Sequence, residues 1–203
     1  MSYSIRCTCG KLKGTLDHSS DVNRCVCYCG DCQAFARFLK RENEILDEKG
    51  GTSIIQTLPT HVAFTEGVEN LSCMRLTSKG LLRWYAACCH TPIGNTPPNL
   101  NTSFVGLIHN CLNADQNLLD EAFGPVRMHV NTKHAMGKDK PKPAGLLLGS
   151  LRILGMMLKA RLDGSYKRTP FFSLNSGAPI STPRVLSDQE LNDVKHIMTT
   201  GDV

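Results

Sequence analysis

Arg24-Cys25-Val26-Cys27-Tyr28-Cys29-Gly30-Asp31-Cys32 places four cysteines within eight residues, three of them as C-x-C-x-x-C at Cys27, Cys29 and Cys32. In an extended strand, side chains two apart leave the same face, so Cys25, Cys27 and Cys29 are expected to project together. A turn through Gly30-Asp31 then returns Cys32 towards Cys29. Thiolates gathered about one point suit a soft or borderline cation such as zinc. The rest of the chain reads as organised around this cluster.

Two further cysteine groups stand on either side of it. Cys7-Thr8-Cys9-Gly10 repeats the same-face pairing inside a strand, turn, strand segment from Ile5 to Leu16. Downstream, the apolar run Trp84-Tyr85-Ala86-Ala87 ends in Cys88-Cys89-His90-Thr91-Pro92. Two separated pairs closing on one ion fit a four-coordinate structural zinc site with no open position. The chain is therefore expected to hold two Zn2+ ions, one built locally and one stitching residue 7 to residue 89.

Residues 1 to about 110 read as β-rich. Strand-like runs cover Lys11 to Leu16, Ser53 to Leu58, His61 to Thr65, Leu71 to Leu76, Leu81 to Ala86 and Phe104 to His109. Gly50-Gly51, Glu66-Gly67 and Lys79-Gly80 supply turns between them, and Pro97-Pro98 marks a loop. Gln33 to Glu42 is expected as a short helix, with Ala34, Phe35 and Phe38 at helical spacing.

Beyond residue 110 the character shifts. Val126 to Asn131 reads as one more strand, Lys133 to Pro143 as a basic linker, and Ala144 to Leu162 as a helix. Leu147, Leu151, Leu154, Leu158 and Leu162 form one apolar stripe along it. Ser187-Asp188-Gln189-Glu190 matches a capping box opening a last helix, after a Pro/Gly/Ser-rich loop from Ser173 to Pro183. Residues 133–168 carry nine Lys or Arg against two Asp, a net +7 on a chain whose total is +5. A basic helix with solvated charges is the plain reading. A membrane-surface or partner-binding helix is the alternative, and nucleic acid fits less well because no stacking aromatics are interleaved.

At 203 residues and 41% apolar content, one domain with an elaborated tail is expected. The boundaries read as a zinc-binding β domain over 1–132, then a basic linker and helical extension over 133–203. Ten cysteines without an apolar leader in Met-Ser-Tyr-Ser-Ile-Arg-Cys point to a reduced, cytoplasmic protein rather than a disulfide scaffold. No stretch is long and clean enough to cross a bilayer, since Arg152 interrupts the apolar run from Ala144 to Leu158. Cys73 and Cys111 read as small buried hydrophobes.

Taken together, the order and spacing of these motifs resemble the glutathione-dependent formaldehyde-activating enzyme family, which includes centromere protein V. Its members show C-x-C-G, then C-H-C-S-x-C about twenty residues on, then C-x-x-C-G-T-P. Cys7 to Gly10 matches the first, Cys27 to Cys32 the second, and Ala86-Ala87-Cys88-Cys89-His90-Thr91-Pro92 is an altered third. The resemblance covers residues 4 to 110 and implies a mainly β fold of packed antiparallel sheets (a β-tent) with two zinc sites. Carried over, Cys7, Cys9 and Cys89 are structural ligands, while Cys27, Cys29 and Cys32 hold the zinc associated with catalysis. Ala86 stands where the family has a ligating cysteine, which leaves Cys88 and His90 as alternatives for the fourth position.

Three thiolates leave one zinc position open, the pattern of catalytic sites. A thiol such as glutathione entering there loses its proton and adds to an aldehyde carbon, and the reverse reaction is that of a carbon–sulfur lyase. Three other readings stand beside it. Cys25 closing the centre as a fourth ligand makes it structural. Cys29-Gly30-Asp31-Cys32 working alone is a thiol-redox pair. A zinc-stabilised binding module would act through its basic helix, and a homodimer would use the leucine stripe.

Overall fold

Apolar side chains from two sheets meet in one interior, and the sheet order follows from which strands carry them. The computed structural model describes residues 2–17, 22–112 and 114–196. Along the chain come β1 (Ser2–Arg6), β2 (Lys13–Asp17), β3 (Asn23–Cys27), α1 (Gly30–Phe38), α2 (Glu42–Ile45), β4 (Thr52–Thr57) and β5 (Val62–Glu66). Then follow β6 (Leu71–Arg75), β7 (Leu82–Ala86), β8 (Thr91–Thr96), β9 (Val105–Ile108), α3 (Gln116–Phe123) and β10 (Met128–Val130). Helix α4 (Leu146–Leu162), β11 (Arg184–Val185) and α5 (Asp188–His196) complete it. The small sheet runs β1-β2-β5, the large one β10-β3-β4-β9-β8-β7-β6-β11.

The main core lies between them. Ile5, Leu12, Leu16 and Val62 come from the small sheet and its hairpin, and Ile55, Leu82, Trp84, Ile93, Val105 and Leu107 from the large one. Trp84 is fully buried and its indole N–H donates to Thr96 Oγ1 at 2.9 Å, so its one polar atom is satisfied. A second cluster, with Phe35, Leu39, Ile45, Met74, Ile108 and Leu186, packs α1 and the segment before α5 onto the large sheet.

The chain is thus mainly β with two sheets and a few helices, one of them C-terminal, as the pattern of strands and turns implies. Several details differ from that reading. The antiparallel ladder ends in a parallel pair on each edge, β10 on β3 and β11 on β6. Strand β8 is invisible to pattern reasoning because Pro92 and Gly94 lie inside it. It is nevertheless flanked by β7 and β9, with Pro92 opposite Tyr85 next to a register shift, where a missing N–H is tolerated. Gly94 is required there, since a Cβ would sit 2.8 Å from the Gly106 carbonyl oxygen.

The described residues from 133 onwards are woven into the same body as the described residues before them. Phe171 is fully buried, 5.1 Å from the Trp84 ring and 5.7 Å from Phe64. Arg184–Val185 extends the large sheet, and α5 packs on α1. Residues 197–203 of the expected extension lie outside the described residues. The leucine stripe of α4 also behaves differently from an ordinary amphipathic face. Its body-facing residues are Gly149, Ile153, Met156 and Ala160, while Leu147, Leu151, Leu154, Leu158 and Leu162 point outwards.

Candidate metal centres

Both cysteine groups form in space. Cys7, Cys9, Cys88 and Cys89 make one cluster and Cys27, Cys29 and Cys32 the other, with the sulfurs of each group all within 4.8 Å of one another.

The first cluster joins two hairpins. Gly10, at φ 75°, takes a left-handed conformation that closes the turn after β1, and its N–H donates to the Cys7 carbonyl at 2.9 Å. Cys7 and Cys9 Sγ are then 3.5 Å apart. On the other side, residues 87–90 leave β7 as a tight turn, with the His90 N–H donating to the Ala86 carbonyl at 2.7 Å. Strand alternation would turn Cys88 and Cys89 apart, but the turn brings them together at 3.9 Å. Cys88 Sγ lies 3.8 Å from Cys7 and 3.3 Å from Cys9. A tetrahedral zinc with bonds of about 2.3 Å has sulfur–sulfur edges near ~3.8 Å, so the donor set fits such an ion in type, number and spacing. The ring of His90 meets Tyr85 edge-on at 6.3 Å, and His90 is not part of the group.

Neighbouring residues hold this cluster in place. Thr91, fully buried, accepts the Thr8 N–H at 3.0 Å and lies 3.1 Å from Cys89 Sγ. Arg41 donates to the Cys89 carbonyl and to Thr8 Oγ1, both at 3.1 Å, and pairs with Glu44, which ties the two turns together. Burial opposes a thiolate at Cys89, but hydrogen bonds from Thr8 and Thr91 outweigh it and lower this thiol to about 5. Burial and hydrogen bonding to Cys9 and Cys7 push Cys88 up. Cys89 and Cys88 are thus held in opposite directions, and a bound cation would favour the thiolate of Cys88 against its burial.

The second cluster sits where β3 passes into α1. Cys27 is the last residue of the strand. Cys29 is not on the strand, as alternation would have it. It is the N-cap of α1 (φ −67°, ψ 148°), and its sulfur accepts the Cys32 N–H at 3.4 Å. Asp31 and Cys32 fall in the first turn of that helix, which therefore starts three residues earlier than its apolar spacing suggests and ends at Phe38. A helix N-terminus favours negative charge, and the three sulfurs lie at its positive end. Hydrogen bonds from Cys29 and Cys32 draw the Cys27 thiol far below its usual range, and Asn131 Nδ2 donates to its sulfur at 3.5 Å. No local signal marks Asn131, because it reaches Cys27 only through the parallel pairing of β10 with β3.

Cys25 lies in the same apolar pocket, with Ile54 and Met128, but outside the group of three sulfurs. Burial, and then the charges of Cys27 and Cys29, raise its thiol to about 12. Cys27 and Cys32 are buried and Cys29 half-buried, so the centre opens on the Cys29 side. A cavity of about 390 Å³ lies there, lined by Cys29, Gly30, Asp31, His134 and Lys195. Asp31 faces Lys195 at 3.9 Å and Arg83 at 3.8 Å. Gln33, fully buried, donates to the Tyr28 carbonyl at 3.0 Å and the His134 carbonyl at 3.1 Å, which fixes His134 at the cavity edge.

Comparison with known proteins gives a family without an assigned activity. A group described as a family of unknown function (DUF6151) matches residues 2–182. No curated protein matches. A crystal structure of a Rhodobacter sphaeroides protein is similar at 16% identity and a TM-score of 0.38, covering 57% of this chain and 94% of that one.

Proposed function

This chain belongs to the DUF6151 family, and we propose that it is a zinc-dependent carbon–sulfur lyase-type enzyme that joins a small thiol to an aldehyde and reverses that addition. One observation carries the reading: three sulfurs converge beside an open cavity while the neighbouring Cys25 stays outside their group. The resemblance of the motif pattern to that of formaldehyde-activating enzymes supplies the reaction class.

Cys27, Cys29 and Cys32 would hold the catalytic zinc, and Cys7, Cys9, Cys88 and Cys89 a structural one. When bound at the open centre, zinc supplies the positive charge that lets an incoming thiol ionise at neutral pH. The chain's own residues then determine what enters. The Lys195 ammonium at the cavity rim suits a thiol carrying a carboxylate, as glutathione does. Asp31, shared between Lys195 and Arg83, keeps that ammonium turned to the rim. In the addition, sulfur forms a bond to the carbonyl carbon, the C=O π bond opens, and the thiol's proton ends on the new hydroxyl oxygen. His134 borders the same space and is the side chain placed to pass that proton.

The test is direct. Purified protein is analysed for metal, then mixed with glutathione and formaldehyde while adduct formation is followed. About two zinc per chain and adduct formation above the uncatalysed rate are expected. A metal-free protein whose Cys29 and Cys32 oxidise to a disulfide would replace this reading with thiol redox, which the strand-to-helix placement of that pair also suits.

A further inference from the structure

We infer that the outward face of α4 is a docking surface for an anionic lipid bilayer. The helix packs on the body through Gly149, Ile153, Met156 and Ala160, spaced four, three and four apart. Gly149 permits the closest approach, since a Cβ there would meet Met128 Sδ at 2.1 Å. At about 100° per residue, the leucine stripe falls roughly opposite this buried face. Leu147 is 73% exposed, Leu151 56%, Leu154 61%, Leu158 57% and Leu162 81%. The stripe runs along a helix about 25 Å long. Soluble monomers rarely leave so continuous an apolar surface uncovered.

Charge selects the occupant. Residues 146–162 contain no Asp or Glu, while Arg152 and Lys159 flank the stripe on one side and Arg161 on the other. Arg161 is held over the Tyr166 ring at 4.4 Å. Exposed lysines at 133, 138, 140 and 142 precede the helix, and Lys167 and Arg168 follow it. A second copy meeting the same face would bury the leucines but bring basic flanks against basic flanks, with no acidic residue on either helix to pair them. An anionic bilayer meets both needs at once: leucines enter the acyl boundary while Arg and Lys reach the headgroups. Among the described residues no helix is long and apolar enough to cross a membrane, so α4 would lie along the surface.

Flotation of the full-length protein with phosphatidylcholine vesicles, with and without phosphatidylserine, tests this. Wild type should float with the anionic vesicles, less so in high salt, and far less with phosphatidylcholine alone. Leu151→Ser/Leu158→Ser should bind anionic vesicles at least ~tenfold more weakly, with the melting temperature unchanged because both side chains face solvent. Should that pair disturb folding, Leu147→Ser/Leu162→Ser makes the same measurement from the helix ends. Lys159→Gln/Arg161→Gln should lose the preference for anionic over neutral lipid. Wild type staying in the aqueous phase overturns the inference, and so does equal flotation of the leucine variants. A wild-type dimer that the leucine variants split into monomers, seen by light scattering, would assign the stripe to a second copy instead.

Discussion

A cysteine in this chain owes its chemistry to where its sulfur is held. Cys25 and Cys27 are two apart on one strand, yet burial leaves Cys25 a protonated apolar side chain, while hydrogen bonds from two neighbouring sulfurs make Cys27 the acidic member of a trio. Cys73 and Cys111 follow Cys25, with burial raising each to about 12. The thiolate is the reactive form, and a raised value keeps it unpopulated until strongly alkaline pH. Iodoacetamide at mildly alkaline pH should therefore spare Cys73 and Cys111 in the native protein and label all ten cysteines once it is unfolded, read by mass spectrometry. Substitution should separate the two clusters as well. Cys29→Ser is expected to abolish adduct formation with little change in melting temperature, whereas Cys9→Ser should lower that temperature sharply. Equal destabilisation by both would make the central cluster structural too. The thiol spacing was legible along the chain; the place of Cys29 on a helix cap and the contact from Asn131 were not, because both depend on how β3 ends and what pairs with it.

Elements show the same division between local signal and packing. The capping box at the start of α5 is formed as its four residues suggest: the Glu190 carboxylate accepts the Ser187 N–H at 2.9 Å, and the Glu190 N–H donates to Ser187 Oγ at 3.3 Å. That helix docks on α1, where Arg37 Nη1 donates to the Val194 carbonyl at 3.0 Å, and it carries Lys195 to the cavity. Removing the cap with Ser187→Ala should cost about 1 kcal/mol of helix stability. Hydrogen exchange in α5 should speed up by about fivefold. If Lys195 positions the thiol, KM for glutathione should rise in the same variant with kcat little changed. Strand β8 shows the opposite case. Proline and glycine argue against a strand locally, and only its neighbours on both sides explain why they are tolerated. The leucines of α4 were equally plain as a periodic stripe, but periodicity does not say which side of a helix meets the protein.

Across the whole molecule, the first cluster ties the small sheet to the turn between β7 and β8, residues about eighty apart in sequence. A metal bound there contributes to folding itself, so chelation should lower the melting temperature and added zinc restore it, measured by circular dichroism. The later part of the chain is held by packing. Phe171→Ala, which empties the space beside Trp84 and Phe64, should cost about 3–5 kcal/mol. By itself the sequence determined a mainly β chain with two groups of clustered sulfurs, because strand alternation, turn residues and C-x-C spacing act over a few residues. The tertiary structure alone decided that Cys88 joins Cys7, Cys9 and Cys89, that Cys25 stays outside the central group, and that residues beyond 133 complete the core and sheet edge. Those outcomes depend on contacts between distant segments, where close packing, and not local preference, selects which side chains meet.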